Sequence, residues 1–277
     1  VENPFDLSRY RSADHIGHRQ GRTAPPAARE ARRRGCPTLA VTNVVGSTIS
    51  REVERVFYTK AGPEIGVAAT KTYTAQLMAM YLLGIRLGQL RRTMGRDEIR
   101  ELTSELRGMP RYIGKVLDRA HEVEAATEML VPARDVFFLG RNVNYPTMLE
   151  GALKLKEISY IHAEGYAAGE LKHGPLALLD ASTPVVAACI NDHTYEKMLA
   201  NISEVAARDS PILAIGIEGD GDLARVADST VSLPRVNPIL SPVPLTVMVQ
   251  LIAYHTAKKR GCPIDKPRNL AKSVTVD

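Results

Sequence analysis

Pro184-Val185-Val186-Ala187-Ala188, then a helical pattern over residues 194–207, then Ile212-Leu213-Ala214-Ile215-Gly216, is the stretch whose reading decides the fold. Each apolar run is short, unbroken and bounded by turn residues, as a buried strand is. A helix between two such strands carries the chain back across the sheet, so the strands run parallel. The same alternation extends outward in both directions. Upstream, Val136-Phe137-Phe138-Leu139 reads as a buried strand ending in the loop Gly140-Arg141-Asn142, with a helix from about Tyr145. Downstream, a short strand near Thr230-Val231-Ser232-Leu233 and a helix over about 243–260 complete the unit.

The amino-terminal part repeats the scheme. A basic helix closed by Gly35 precedes the strand Pro37–Asn43, Gly46-Ser47-Thr48 opens a short helix, and Arg55–Thr59 is a second strand. A helical stretch from about Gly66 to Leu90 takes Leu77, Met80, Tyr81, Leu82 and Ile85 as its apolar face, and residues 97–130 form a charged, amphipathic helical region. The expected fold is therefore α/β: two tandem doubly wound parallel sheets flanked by helices (flavodoxin-like), the first truncated at its amino end. The expected divisions are 1–92, a helical connector over 93–130, a second domain over 131–265 and a tail over 266–277.

Composition narrows the function classes. The chain has 277 residues and is 44% apolar, as an ordinary globular protein is, and no run is long enough to span a membrane. It lacks both a starting Met and the plan of a signal peptide, and reads as a fragment or a processed product. Cys36, Cys189 and Cys262 are far apart and have no metal-ligand spacing, which points to a reduced, cytoplasmic protein with no metal. The net charge of +5 gathers at predicted helix ends, where cations complement the dipole. No nucleic-acid motif accompanies it and Trp is absent, so no nucleic-acid partner is expected; an anionic small molecule suits the charge.

In parallel sheets the ligand sits beyond the carboxyl ends of the strands. Three hydroxyl- or glycine-bearing loops could cradle a phosphate there or simply cap helices: Gly21-Arg22-Thr23, Gly46-Ser47-Thr48 and Gly140-Arg141-Asn142. The richest chemistry lies over Glu150–His173. On a helix Glu150, Lys154 and Glu157 share one face, either as a solvent-facing charge ladder or as an acid–base group. His162-Ala163-Glu164-Gly165-Tyr166-Ala167-Ala168-Gly169-Glu170-Leu171-Lys172-His173-Gly174-Pro175 follows as a loop of small residues, in which His173 could move protons or serve as a cap and His162 is structural. The tail Lys266–Asp277 could fray; its Leu270, Val274 and Val276 are apolar enough to dock, and a docked Lys272 could attack a carbonyl.

These segments carry a resemblance. Thr42–Glu52, Ala61–Lys71, residues 150–177 and the last twelve residues together resemble the isomerase half of the glucosamine-6-phosphate synthase family, the glutamine:fructose-6-phosphate amidotransferases, over residues 37–277. The resemblance implies two tandem sugar isomerase (SIS) domains and a ketose-to-aldose isomerisation that turns fructose-6-phosphate and ammonia into glucosamine-6-phosphate, the entry to amino-sugar nucleotides. It implies that Glu157 moves the proton between C1 and C2, that Lys154 stabilises the enediol charge, and that Lys272 holds the ketose as a Schiff base. His173 would open the sugar ring in the partner subunit's site of a homodimer. Val67, Ala271 and Glu150 would line the substrate, and no cofactor is implied.

The sequence departs from the family at its phosphate loop, Ser-Gln-Ser-Gly-Glu-Thr. Here His18-Arg19-Gln20-Gly21-Arg22-Thr23 stands in its place, leaving Gln20, Gly21 and Thr23 as candidate substrate contacts. Pro25-Pro26 follows where a helix should begin, and residues 12–28 read as an altered segment. The family's glutaminase domain is absent, so ammonia release from glutamine is not expected of this chain. The alternatives are a non-catalytic module that binds a phosphosugar, which has no need of Glu157, Lys154, His173 and Lys272 together, and a related deglycase.

Overall fold

The structure, a computed structural model, describes residues 24–272. The chain divides into two compact units, one running to Thr103 and including Ala271 and Lys272, the other Ser104–Leu270.

The second unit is built on five parallel strands: β3 (Asp135–Gly140), β4 (His162–Ala167), β5 (Val185–Ala188), β6 (Ile212–Ile217) and β7 (Ser229–Leu233), in the order β4-β3-β5-β6-β7. Renumbered within the unit this is 2-1-3-4-5, the flavodoxin-like order, whose direction reverses between β3 and β5. Val136, Phe138, Val185, Val186, Leu213, Ala214 and Ile215 are fully buried, so these apolar runs are covered on both faces. The covering helices include α6 (Tyr145–Ser159), α7 (Tyr195–Ala206) and α8 (Pro242–Lys259). On the α7 side, Met198, Ile202 and Val205 pack with Leu139, Ala187 and Leu171. On the other side α6 and α8 lie against each other, and α8 is apolar almost all round because it is almost wholly buried. The helices α4 (Arg96–Asp118) and α5 (Ala120–Ala126) account for the amphipathic region, with Leu106, Met109, Val116 and Val123 buried.

The first unit has a two-stranded parallel sheet, β1 (Leu39–Thr42) with β2 (Arg55–Tyr58), and the helices α1 (Ala24–Arg33), α2 (Thr48–Glu52) and α3 (Lys71–Arg91). Gly35 and Gly261, in the two Arg-Gly-Cys-Pro segments, take positive φ of 70° and 68°. In each the glycine amide and the following cysteine amide bond back to the helix (Gly35 to Arg32 O, Cys36 to Ala31 O), closing α1 and α8 with the same left-handed cap.

Four details differ from the sequence reading. Residues 162–167 are an edge strand rather than a loop; an edge strand of which only Ala163 is fully buried needs no apolar run, which hid it. Residues 168–173 and 175–178 form short 3-10 turns on either side of Gly174 (φ 139°). The helix α3 starts at Lys71 instead of about Gly66, and Leu82 is 44% exposed instead of lying on an apolar face. Pro25 and Pro26 fall in the first turn of α1, where no backbone N–H is required, so the pair begins a helix without breaking it.

Candidate active site

The helix α6 carries the central group. Pro146 opens its first turn, and Tyr160, left-handed at φ 63°, ends it. In its middle Gly151 lets it sink into the unit: a Cβ there would stand 2.9 Å from both Phe138 Cε1 of β3 and Val249 Cβ of α8. Glu150 and Lys154 go down with the helix, to 6% and 4% exposure. The solvent-facing ladder is therefore excluded.

The Lys154 ammonium hydrogen-bonds Glu157 and stands 3.4 Å from Glu150 Oε1, an ion-pair separation without a hydrogen bond. A buried ammonium is tolerable with two carboxylates beside it. The two carboxylates are not equivalent. Burial pushes the Glu150 carboxyl up to about 7, with the attraction of Lys154 only partly opposing it, so Glu150 titrates near neutral pH. Glu157 has the Lys154 hydrogen bond and 17% side-chain exposure, so it is the carboxylate of the two that a ligand can reach. A carboxylate joined to a buried ammonium can take a carbon-bound proton while the ammonium stabilises the charge that develops.

Lys272 belongs to the first unit. Its Nζ donates to Gly66 O at 2.8 Å and to Glu64 Oε2 at 3.0 Å, while Val67 is half-buried and Ala271 exposed. The loop that bears Glu64 and Gly66 is tied by Asn43, whose Oδ1 accepts from Ala61 N (2.7 Å) and Thr59 Oγ1 (3.1 Å). Lys272 is thus docked, not frayed. Glu64 lies within the matching segment Ala61–Lys71, and the resemblance implies no role for it; its one legible signal is a carboxylate just ahead of Thr70-Lys71-Thr72, the start of a helix.

His173 is 74% exposed on its side chain and pairs only with Glu170, at 3.9 Å, among the described residues. The structure does not bring it to Glu150, Lys154 or Glu157 by any hydrogen bond or ion pair. His162, expected to be structural, bonds Asp135 at 2.7 Å on the surface. A contact the sequence did not suggest fastens the start of the tail. The Tyr160 hydroxyl accepts from Arg268 N at 2.8 Å, and the Arg268 guanidinium lies 4.2 Å from the Tyr160 ring centroid.

Of the three candidate cradles, Gly21-Arg22-Thr23 and the neighbouring Gln20 lie outside the described residues. At Gly46-Ser47-Thr48, Ser47 stands at the N-cap of α2 with its Oγ buried and unbonded. At Gly140-Arg141-Asn142, Asn142 Nδ2 bonds Asp192 Oδ2 at 3.2 Å, so a carboxylate occupies the point where the strand order reverses. That disfavours a phosphate there.

The parallel α/β sheet flanked by helices agrees with what known proteins show. A family model described as the SIS domain matches residues 20–86 and 129–259. The chain belongs to the SIS-domain family. Within it, the chain is similar to the glutamine–fructose-6-phosphate aminotransferases (isomerizing). That of Methanosarcina acetivorans is 52% identical over 251 residues, covering 91% of this chain and 41% of that protein. That of Thermus thermophilus is 51% identical over 249 residues, again covering 41% of the relative. The chain thus spans about two fifths of the length of these curated relatives. Among solved structures, the C-terminal domain of glucosamine-fructose-6-phosphate aminotransferase from Francisella tularensis superposes with a TM-score of 0.85. It is 35% identical and covers 94% of this chain and 76% of its own.

Proposed function

We propose that the chain is the sugar-phosphate isomerase module of a glutamine–fructose-6-phosphate aminotransferase, converting fructose-6-phosphate and ammonia to glucosamine-6-phosphate. The observation that carries this reading is Lys154, buried between two carboxylates on α6, with a reachable Glu157 at its side. Glu157 takes the proton from C1 or C2 and returns it to the other carbon; Lys154 steadies the enediol-like charge. Lys272 holds the ketose as a Schiff base, and Glu150, Val67 and Ala271 line the substrate. Gln20, Gly21 and Thr23 remain the proposed phosphate contacts. The substrate's own carbonyl acidifies the proton, so the reading calls for no metal or organic cofactor. In the full enzyme glutamine supplies the ammonia.

The exposure of His173 supports a homodimer in which this histidine opens the sugar ring in the partner subunit's site. Free Cys36, Cys189 and Cys262 fit a reducing cytoplasm, and among the described residues no helix is long and apolar enough to cross a membrane.

The test is conversion of fructose-6-phosphate to glucose-6-phosphate by the purified chain, followed with a coupled dehydrogenase. Glu157→Gln is expected to lower turnover by about 10²–10⁴-fold, the usual worth of a general base, and Lys272→Ala to lower it as well. No turnover from a folded chain that still binds the sugar phosphate would leave a non-catalytic binding module instead.

A further inference from the structure

The tail brings a cation, Lys272, to an unfavourable place. Lys272 reaches the loop before α3, beside the amino end of that helix, where the backbone N–H groups of the first turn and the helix dipole present positive potential. What makes the place habitable is Glu64. Its side chain is only 7% exposed, and it accepts from Thr70 N at 2.8 Å, Thr72 N at 3.3 Å and the Thr72 hydroxyl. We propose that Glu64 is the positioning residue for Lys272: its carboxylate, clamped at the start of α3, supplies the negative charge that docks this part of the tail and holds the lysine in place. This rests on the reading of Lys272 as the lysine that takes the ketose.

Two features set Glu64 apart from an ordinary helix cap. Its two oxygens divide the work, Oε1 facing the Thr70 and Thr72 amides and Oε2 meeting both the Thr72 hydroxyl and Lys272. Its ionised form is also secured in advance. Burial alone would raise the carboxyl, yet the Thr72 hydroxyl, the Thr70 amide, Lys272 and the Thr72 amide together hold it at about 2. The charge is therefore present at any working pH. A glutamine at this position can still accept from the amides and cap α3, but it leaves the ammonium facing the helix end with the Gly66 carbonyl and no opposing charge.

The experiment compares Glu64→Gln, Glu64→Asp and Thr72→Val with the parent chain by two readouts. The first is amide hydrogen exchange over residues 269–272. Glu64→Gln is expected to speed it about tenfold or more, as a tail that opens locally does. The change should stop at Arg268, whose amide is held separately by Tyr160. Glu64→Asp and Thr72→Val, which keep the charge, should stay near the parent. The second readout is reductive trapping with fructose-6-phosphate and cyanoborohydride. After its proton passes to solvent, the Lys272 amine adds to the C2 carbonyl, water leaves, and cyanoborohydride delivers hydride to the resulting imine. Peptide mass spectrometry then reads the secondary amine on Lys272, whose rate of formation should fall in the variant in which exchange rises.

Unchanged exchange in Glu64→Gln overturns the proposal. So does equal loosening by Glu64→Gln and Thr72→Val, which would make Glu64 only a cap. If the parent chain itself traps no sugar on Lys272, the isomerase reading fails, and the exchange data still decide whether Glu64 docks the tail.

Discussion

A lysine ammonium in a protein interior persists only beside compensating charge, and Lys154 has a carboxylate on each side along α6. The spacing of Glu150, Lys154 and Glu157 was legible in the sequence; the side of the helix they face was not, because charges three and four residues apart look the same in water and in a core. Burial separates the two carboxylates, and Glu150, with an unbonded Oε1, is the strained one. Its folded-state value of about 7 lies above the ordinary 4.5. Between those values the folded chain binds a proton that the unfolded chain has released. The stability it contributes is thus complete below about pH 4.5 and is lost as the pH rises through 7. Glu150→Gln has no such proton to lose. The stability of the parent relative to Glu150→Gln, measured by urea unfolding, should fall by on the order of 1–3 kcal/mol across this range. A difference that stays flat would mean that Glu150 does not titrate in this window.

Among the elements, α6 is the one whose position decides the site, and Gly151 decides the position of α6. Glycine in the middle of a helix ordinarily costs about 1 kcal/mol relative to alanine, so Gly151→Ala would gain that much if packing did not matter. Packing opposes it: the new Cβ would meet the Phe138 ring and the Val249 Cβ at 2.9 Å, with a strand on one side and α8 on the other. Overpacking of this kind costs roughly 1–3 kcal/mol. Gly151→Ala should lower the thermal midpoint, and by displacing α6 it should depress the proposed isomerase turnover more than the loss of stability accounts for. An unchanged or raised midpoint would show that α6 and α8 yield without strain. The strand β4 teaches a related lesson. His162–Ala167 has little of the apolar character by which the other strands were recognised, and pairing with Asp135–Gly140 makes it a strand. Where burial is double, as in β5 and β6, the strand was readable at once.

For the whole molecule, the proposed sharing of His173 makes a prediction that no single chain could satisfy. If His173 acts in the partner subunit's site, Glu157→Gln and His173→Ala chains are each inactive alone, and mixing them restores one complete site in each mixed dimer. Random reassortment would return about a quarter of the parent's turnover, since half the dimers are mixed and each has one good site of two. Dissociation and reassociation of the two variants, followed by the coupled assay, checks this. No recovery in dimers shown to be mixed would place His173 in its own chain's site or outside the reaction.

The alternation of buried strands with helices, the parallel pairing it implies for the second unit, the glycine-capped helix ends and the shared helical face of Glu150, Lys154 and Glu157 follow from local pattern, whereas the edge strand β4 does not. Apolar runs, helical spacing and turn residues act over a few positions, and a sequence displays them directly. What the tertiary structure alone decided is which polar groups lie in the dark and what they meet there. The burial of Glu150 and Lys154 depends on Gly151 approaching Phe138 and Val249, the latter nearly a hundred residues away in sequence. The docking of Lys272 depends on Glu64, 208 positions distant. The strength of an ionic contact is set by the medium around it and by the neighbour across it, and both are properties of the packed chain.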